Sequence, residues 1–165
     1  MISGYFIQAM RRLSAREEKG MLIHTKDYDF VTVKEEDIID FPEGVYAFEN
    51  SKQFVVLDTN SEAGIMQLQC AQAQSPRFII LDPFMFLEDY APKLPEEVMK
   101  KLKAASLEQL NFFVIAVIPE NIGLTTVNLK SPVVINFKER LGMQVMLENA
   151  DYSVRFRLFD QERAG

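Results

Sequence analysis

Apolar and polar residues alternate along most of this chain in short runs, the period of a strand with one buried face. Tyr28–Val33 alternates weakly, and Ile38–Phe41 ends at a Pro42-Glu43-Gly44 turn. Gln53–Asp58 alternates, and a polar loop, Thr59–Gly64, leads into Ile65–Cys70. In that run Met66, Leu68 and Cys70 share one face, with Gln67 and Gln69 on the other. Arg77–Leu81 follows, and Phe112–Ile118 is continuously apolar, which predicts a central strand buried on both faces. Thr125–Leu129 and Val133–Phe137 are separated by Lys130-Ser131-Pro132. Pro132 has no N–H to give a central ladder, so the chain must bend or bulge there. Met143–Leu147 and Tyr152–Phe159 complete the set; in the latter Tyr152, Val154, Phe156 and Leu158 point one way and Ser153, Arg155 and Arg157 the other.

One stretch departs from this period. Leu94–Ala104 reads as a helix: Pro95 suits its first turn, Glu96 and Glu97 complement the positive end of its dipole, and Lys100, Lys101 and Lys103 the negative end. Ser106-Leu107-Glu108-Gln109 has capping-box spacing for one more helical turn. The expected fold is all-β: a single-domain, small antiparallel β-barrel or sandwich with one or two short helices at about residues 95–110 that plug or flank it.

Residues 1–20 stand apart, with a basic, polar end and a weak helical pattern in Phe6, Met10 and Leu13. Gly20-Met21 opens the β-rich body, and Met21 is a candidate start, which makes residues 1–20 an upstream extension, 21–160 the domain and 161–165 a tail. The N-terminus lacks the charge-first order of a secretory signal, because Arg11, Arg12 and Arg16 follow the apolar run Tyr5–Ile7. A single cysteine, Cys70, excludes an internal disulfide and points to a reducing compartment. No apolar run approaches the ~18–20 residues of a membrane span. A cytoplasmic location and no membrane partner are expected.

The net charge is −6. Residues 1–20 carry four Lys/Arg against two Asp/Glu, so residues 21–165 carry −8. Nucleic-acid affinity comes from neutralised phosphates, so direct nucleic-acid binding is not expected of such a body. Acidity suits a basic partner, although by itself it is adequately explained by solubility.

Candidate chemistry is sparse. His24 is the only histidine, so a Ser–His–acid triad or a two-histidine metal site must use it or does not exist. It reads as an ordinary surface residue at the edge of the first strand. Cys70 lies on the apolar face with Met66 and Leu68 and reads as a buried, inert thiol. Glu35/Glu36 and Glu96/Glu97 are adjacent pairs whose side chains diverge, which does not aim two carboxyls at one bond. Arg155 and Arg157 read as a solvated strand face rather than a phosphate site. No enzyme, cofactor or metal is expected. An RxxxR at Arg12–Arg16 and an SxxG at Ser61–Gly64 resemble the cyclic di-GMP motifs of PilZ β-barrels. Thr59 stands where that pattern has an acid or amide, and a PilZ-like nucleotide-binding module is held only as the alternative.

A second resemblance covers nearly all of residues 21–160. Its residues are Ile38-Ile39-Asp40-Phe41-Pro42-Glu43-Gly44-Val45-Tyr46-Ala47-Phe48-Glu49, Met66-Gln67-Leu68-Gln69, Phe78-Ile79-Ile80-Leu81-Asp82-Pro83, Asp89-Tyr90, Val127 through Asn136, and Gln144-Val145. In order and spacing these resemble the FliW family of bacterial flagellar assembly factors. Cys70-Ala71 stands where a serine or small polar residue is usual, and residues 1–20 match nothing in the family. The resemblance implies a non-enzymatic protein that antagonises CsrA, a small basic RNA-binding dimer that represses flagellin translation, and that alternatively binds flagellin, as a partner switch. A monomer is expected. For the CsrA surface the expected residues are Glu43, Asp82, Glu88, Asp89 and Tyr90, with Asn128 and Lys130 beside the Pro132 break. Phe84, Met85, Phe86 and Leu87 are candidates for an apolar groove that takes a flagellin helix; the competing expectation is that at least two of the four pack inward as a lid.

Overall fold

The computed structural model describes residues 20–148 and 151–159. The extension expected over residues 1–20 lies outside this range except for Gly20, as does the tail 161–165.

The strands are β1 (Met21–Thr25), β2 (Asp29–Val33), β3 (Ile39–Asp40), β4 (Gln53–Asn60), β5 (Ile65–Cys70), β6 (Arg77–Leu81), β7 (Asn111–Val117), β8 (Thr126–Val127), β9 (Val133–Asn136), β10 (Leu141–Gln144) and β11 (Phe156–Arg157). β3 to β7, β9 and β10 pair in the order β7-β6-β5-β4-β3-β10-β9, and β9 pairs back to β7, closing a seven-stranded barrel. Closure leaves these strands no exposed edge. The expected all-antiparallel pairing fails at one seam, where β10 runs parallel to β3 with Leu141 opposite Asp40. A parallel pair needs a long crossover. Here the chain between β3 and β10 builds most of the barrel wall.

The alternation within each strand sorts residues inside and outside this wall. Phe41, Phe54, Met66, Leu68, Ile80 and Phe113 fill the interior with Cys70, which is buried as the sequence predicts. The outer face is covered in three places. The β1–β2 hairpin lays Ile23 and Val33 on Val55 and Leu57 of β4. The one α-helix among the described residues, α1 (Glu96–Lys101), sets Val98 and, just beyond it, Leu102 against Phe112, Val134 and Met143. The segment after β6 and the C-terminal strand cover Leu81, Val114, Ala116 and Val127.

This outside burial changes several sequence expectations. The polar face of β5 is buried as well as the apolar one: Gln67 and Gln69 are 2% and 0% exposed. Gln69 Nε2 donates to the carbonyls of Cys70, Ala73 and Gln74, so the loop after β5 folds back over it. α1 is shorter than Leu94–Ala104. Pro95 precedes its first residue, and Lys103 adopts φ +52, with Lys103 N–H donating to Lys100 O and Ala104 N–H to Met99 O. That left-handed termination usually falls to glycine, so a lysine there gave no stop signal. Leu107–Gln109 forms the expected extra turn, but without the capping box: Ser106 Oγ donates to Glu108 and the Gln109 amide oxygen accepts from Ala105 N–H. Burial of β7 on both faces holds for Asn111–Val114 and ends at Val117 and Ile118, which are 65% and 50% exposed. The expected strand Tyr152–Phe159 contracts to β11, and Val154 is exposed.

The Pro132 break is a wide bulge. On β7 Phe113 faces Val133 and Ala116 faces Val127, so three steps on one strand match six on its neighbour. Asn128 N–H still donates to Ile115 O of β7, and residues 129–132 then leave it and bond elsewhere: Pro132 O accepts from Val145 N–H, Lys130 O from Leu147 N–H, and Leu129 N–H donates to Ser153 O.

Candidate partner-binding surface

β6 ends at Leu81, and Asp82 starts a short 3-10 turn, Pro83–Met85. The Asp82 carboxylate accepts from Phe84 N–H at 2.9 Å, a short-range N-cap, and Pro83 occupies the first position of the turn. Asp82 is only 6% exposed. Burial raises its pKa above the usual carboxylate value, opposed by the Phe84 amide. Of the expected partner residues, Asp82 is therefore a structural cap under the surface rather than a charge upon it.

The next residues split between cover and display. Phe84 packs edge-on against Tyr90 and Phe112, with ring centroids 5.8 and 6.4 Å apart. Phe86 stacks with Phe156 at 6.3 Å, and Leu87 is half-buried in the same cluster. Only Met85 stays substantially exposed, at 55%. Phe84, Phe86 and Leu87 thus pack inward, half-buried, as a lid over the barrel wall. Glu88 and Asp89 are exposed.

Tyr90 closes the segment and is 3% exposed. Its hydroxyl donates to Leu129 O at 2.9 Å, and its ring lies 4.8 Å from Tyr152. Burial, and secondarily Tyr152, raises its pKa. Tyr152 in turn accepts from Ala91 N–H at 2.8 Å. These contacts join the Asp82–Tyr90 segment to the bulge that carries Asn128 and Lys130, so the structure brings those expected residues beside one another. Asn128 itself is used locally, its Oδ1 accepting from Ser131 N–H, and Lys130 is half-buried. Glu43 is engaged by α1: its carboxylate meets Lys101 Nζ at 2.7 Å, and Lys101 also reaches Glu97 at 3.1 Å.

Sequence reasoning missed Glu62. Gly64 O accepts from Asp82 N–H, and a Cβ on Gly64 would stand 2.9 Å from Met85 Cγ. Gly64 is thereby pressed against the Asp82–Met85 turn, and Glu62, two residues before it, is exposed. A glycine at φ +68 is a signal of such close approach, but it does not say which distant segment approaches.

The other candidates resolve simply. His24 is exposed, stacked on Phe30 at 4.6 Å, with Gln74 Nε2 2.8 Å from its Nε2. Among the described residues no group of three or more His, Cys, Asp or Glu could hold a metal ion, and no helix is long and apolar enough to cross a membrane. Arg12 and Arg16 of the PilZ-like motif lie outside the described residues.

The FliW protein family model matches residues 22–158 and excludes that arginine pair. A flagellar assembly factor FliW of Caldicellulosiruptor saccharolyticus is 39% identical over 139 residues, covering 84% of this chain and 91% of the relative. The one of Ruminiclostridium cellulolyticum is 32% identical over 142 residues, covering 86% and 96%. A crystal structure of the flagellar assembly factor FliW superposes with a TM-score of 0.80 at 31% identity, covering 86% of this chain and 99% of that one. With barrel, covers and sequence in agreement over the same span, the chain belongs to the FliW family of flagellar assembly factors.

Proposed function

We propose that this protein binds CsrA through the rim formed by Met85, Glu88 and Asp89, relieves CsrA's repression of flagellin synthesis, and alternatively binds cytoplasmic flagellin. The observation that carries the reading is the display of Glu88 and Asp89. Both are exposed on a segment held at one end by the Asp82 cap and at the other by the Tyr90–Leu129 bond. Acidic groups on a rigid support steer a basic partner and fix its orientation without an ordering cost at binding. Membership of the FliW family supports the identity of the two partners. The reading needs no catalytic group: control is mass action between two partners that exclude one another. The partially buried Lys130 lies beside the rim, on the bulge, and would restrict which acceptors on the partner fit. The inward packing of Phe84, Phe86 and Leu87 leaves Met85 as the rim's apolar contact.

The test is charge reversal. Glu88→Lys with Asp89→Lys is expected to weaken CsrA binding by tenfold or more at low salt, with a smaller effect at high salt, while circular dichroism and melting stay unchanged. Unchanged affinity would remove the rim from the interface. A ternary complex of CsrA, this protein and flagellin on size exclusion with light scattering would refute the partner switch.

A further inference from the structure

β8 and β11 are not part of the closed barrel. They extend the β7 edge as a small flap, with Val117 opposite Thr126 and Thr126 opposite Arg157. The flap's two faces differ. Ala116, Val127 and Phe156 make the neighbouring row and pack under the Asp82–Leu94 cover, where Ala116 and Val127 are buried. The Val117–Thr126–Arg157 row points the other way, away from that cover. Val117 is 65% exposed, and the connection from β7 to β8 adds Ile118, Ile122 and Leu124 at 50%, 67% and 47%. Four large aliphatic side chains within eight residues are more than the scattered exposure of a soluble surface.

The charge on this flap is opposite in sign to that of the chain. Arg157 lies in the exposed row and Arg155 is exposed in the turn before it, on a protein of net charge −6. Neither guanidinium has an ion-pair partner among the described residues. The acidic residue in the connection is Glu120, exposed before the 3-10 turn Ile122–Leu124. Aliphatic positions on the same flap as two arginines that have no ion pair among the described residues complement an apolar stripe bordered by carboxylates. Arginine takes a carboxylate in a bidentate pair, so such a partner would be oriented as well as held.

We infer that the Val117–Leu124 connection and the Arg155/Arg157 edge form a second docking surface, whose occupant is an amphipathic, acidic-flanked segment of another protein. This surface is chemically opposite to the acidic rim and does not depend on the reading of that rim.

The probes are two synthetic helical peptides with the same leucine stripe, one flanked by glutamates and one by lysines, titrated into the full ¹⁵N-labelled chain. The glutamate peptide is expected to bind, with amide shifts centred on Val117, Ile122, Leu124 and Arg157, and the lysine peptide to bind at least tenfold more weakly. Arg155→Glu with Arg157→Glu should cost the glutamate peptide tenfold or more; both sites are exposed, so folding is retained, and melting verifies it. Equal binding of the two peptides, shifts centred elsewhere, or no binding would overturn the inference. So would two other outcomes: comparable, arginine-dependent binding to phosphatidylglycerol vesicles, which assigns the face to a membrane, or a sedimenting dimer broken by Ile122→Asp, which assigns it to a second copy.

Discussion

The hydroxyl of Tyr90 donates to the carbonyl of Leu129 at 2.9 Å, across 39 positions of sequence, with both residues almost wholly buried. This bond ties the segment that displays Glu88 and Asp89 to the bulge that Pro132 imposes. Tyr90→Phe keeps the ring and leaves a buried carbonyl without its donor, which costs about 1–3 kcal/mol. At this chain length each kcal/mol corresponds to a fall of about 2–4 °C in melting temperature. Tyr152→Phe removes an acceptor from the more exposed Ala91 N–H and should cost less than about 1 kcal/mol. Equal losses in thermal melts of the two variants would show that the Leu129 carbonyl finds another donor.

Asp82 should make stability depend on pH with an unusual sign for a carboxylate. Burial raises its pKa from the ordinary 3.8, so the folded chain holds this proton more tightly than the unfolded chain. Stability from this group is full below the ordinary value and falls as pH rises through the raised one. Asp82→Asn keeps an oxygen to accept from Phe84 N–H and cannot ionise. Urea denaturation at pH 3.5 and at pH 7 should show wild type losing ground to the variant at the higher pH. The opposite trend would mean that the Phe84 amide outweighs burial.

Gly142 owes its identity to a neighbour rather than to its backbone angles. A Cβ there would stand 2.4 Å from Cζ of Phe41, a ring with no solvent exposure at the barrel core. Gly142→Ala should destabilise by about 1–3 kcal/mol through overpacking, and Phe41→Leu added to it should recover part of that loss. A purely additive double mutant in chemical denaturation would place the strain elsewhere.

The residues whose structural meaning was legible in the sequence are those that depend on their own strand. Met66, Leu68 and Cys70 face the barrel interior because a strand alternates, and they need only a buried side to exist. Glu88 and Asp89, two charges beside an apolar loop, remain at the surface as their chemistry demands. Asp82 and Tyr90 were not legible as buried groups. A carboxylate and a phenol ordinarily signal exposure, and here each is submerged by a bond whose partner is chosen by the fold: Phe84 N–H through a tight turn, Leu129 O through a distant bulge. The burial of Gln67 and Gln69 likewise depends on what comes to lie over their face of the strand.

By itself the sequence determined the period-two strands, the interruption at Pro132, the apolar interior and, through short ordered motifs, the FliW family. These are local properties, set by backbone geometry and side-chain alternation. Only the tertiary structure decided the closure of β9 onto β7, the parallel β3–β10 seam, and which parts of the barrel's outer wall are covered. A barrel wall has two faces, and strand alternation tells them apart without saying which segment from elsewhere in the chain comes to lie on the outer one. That choice buries Tyr90 and leaves Val117, Ile122 and Arg157 in solvent.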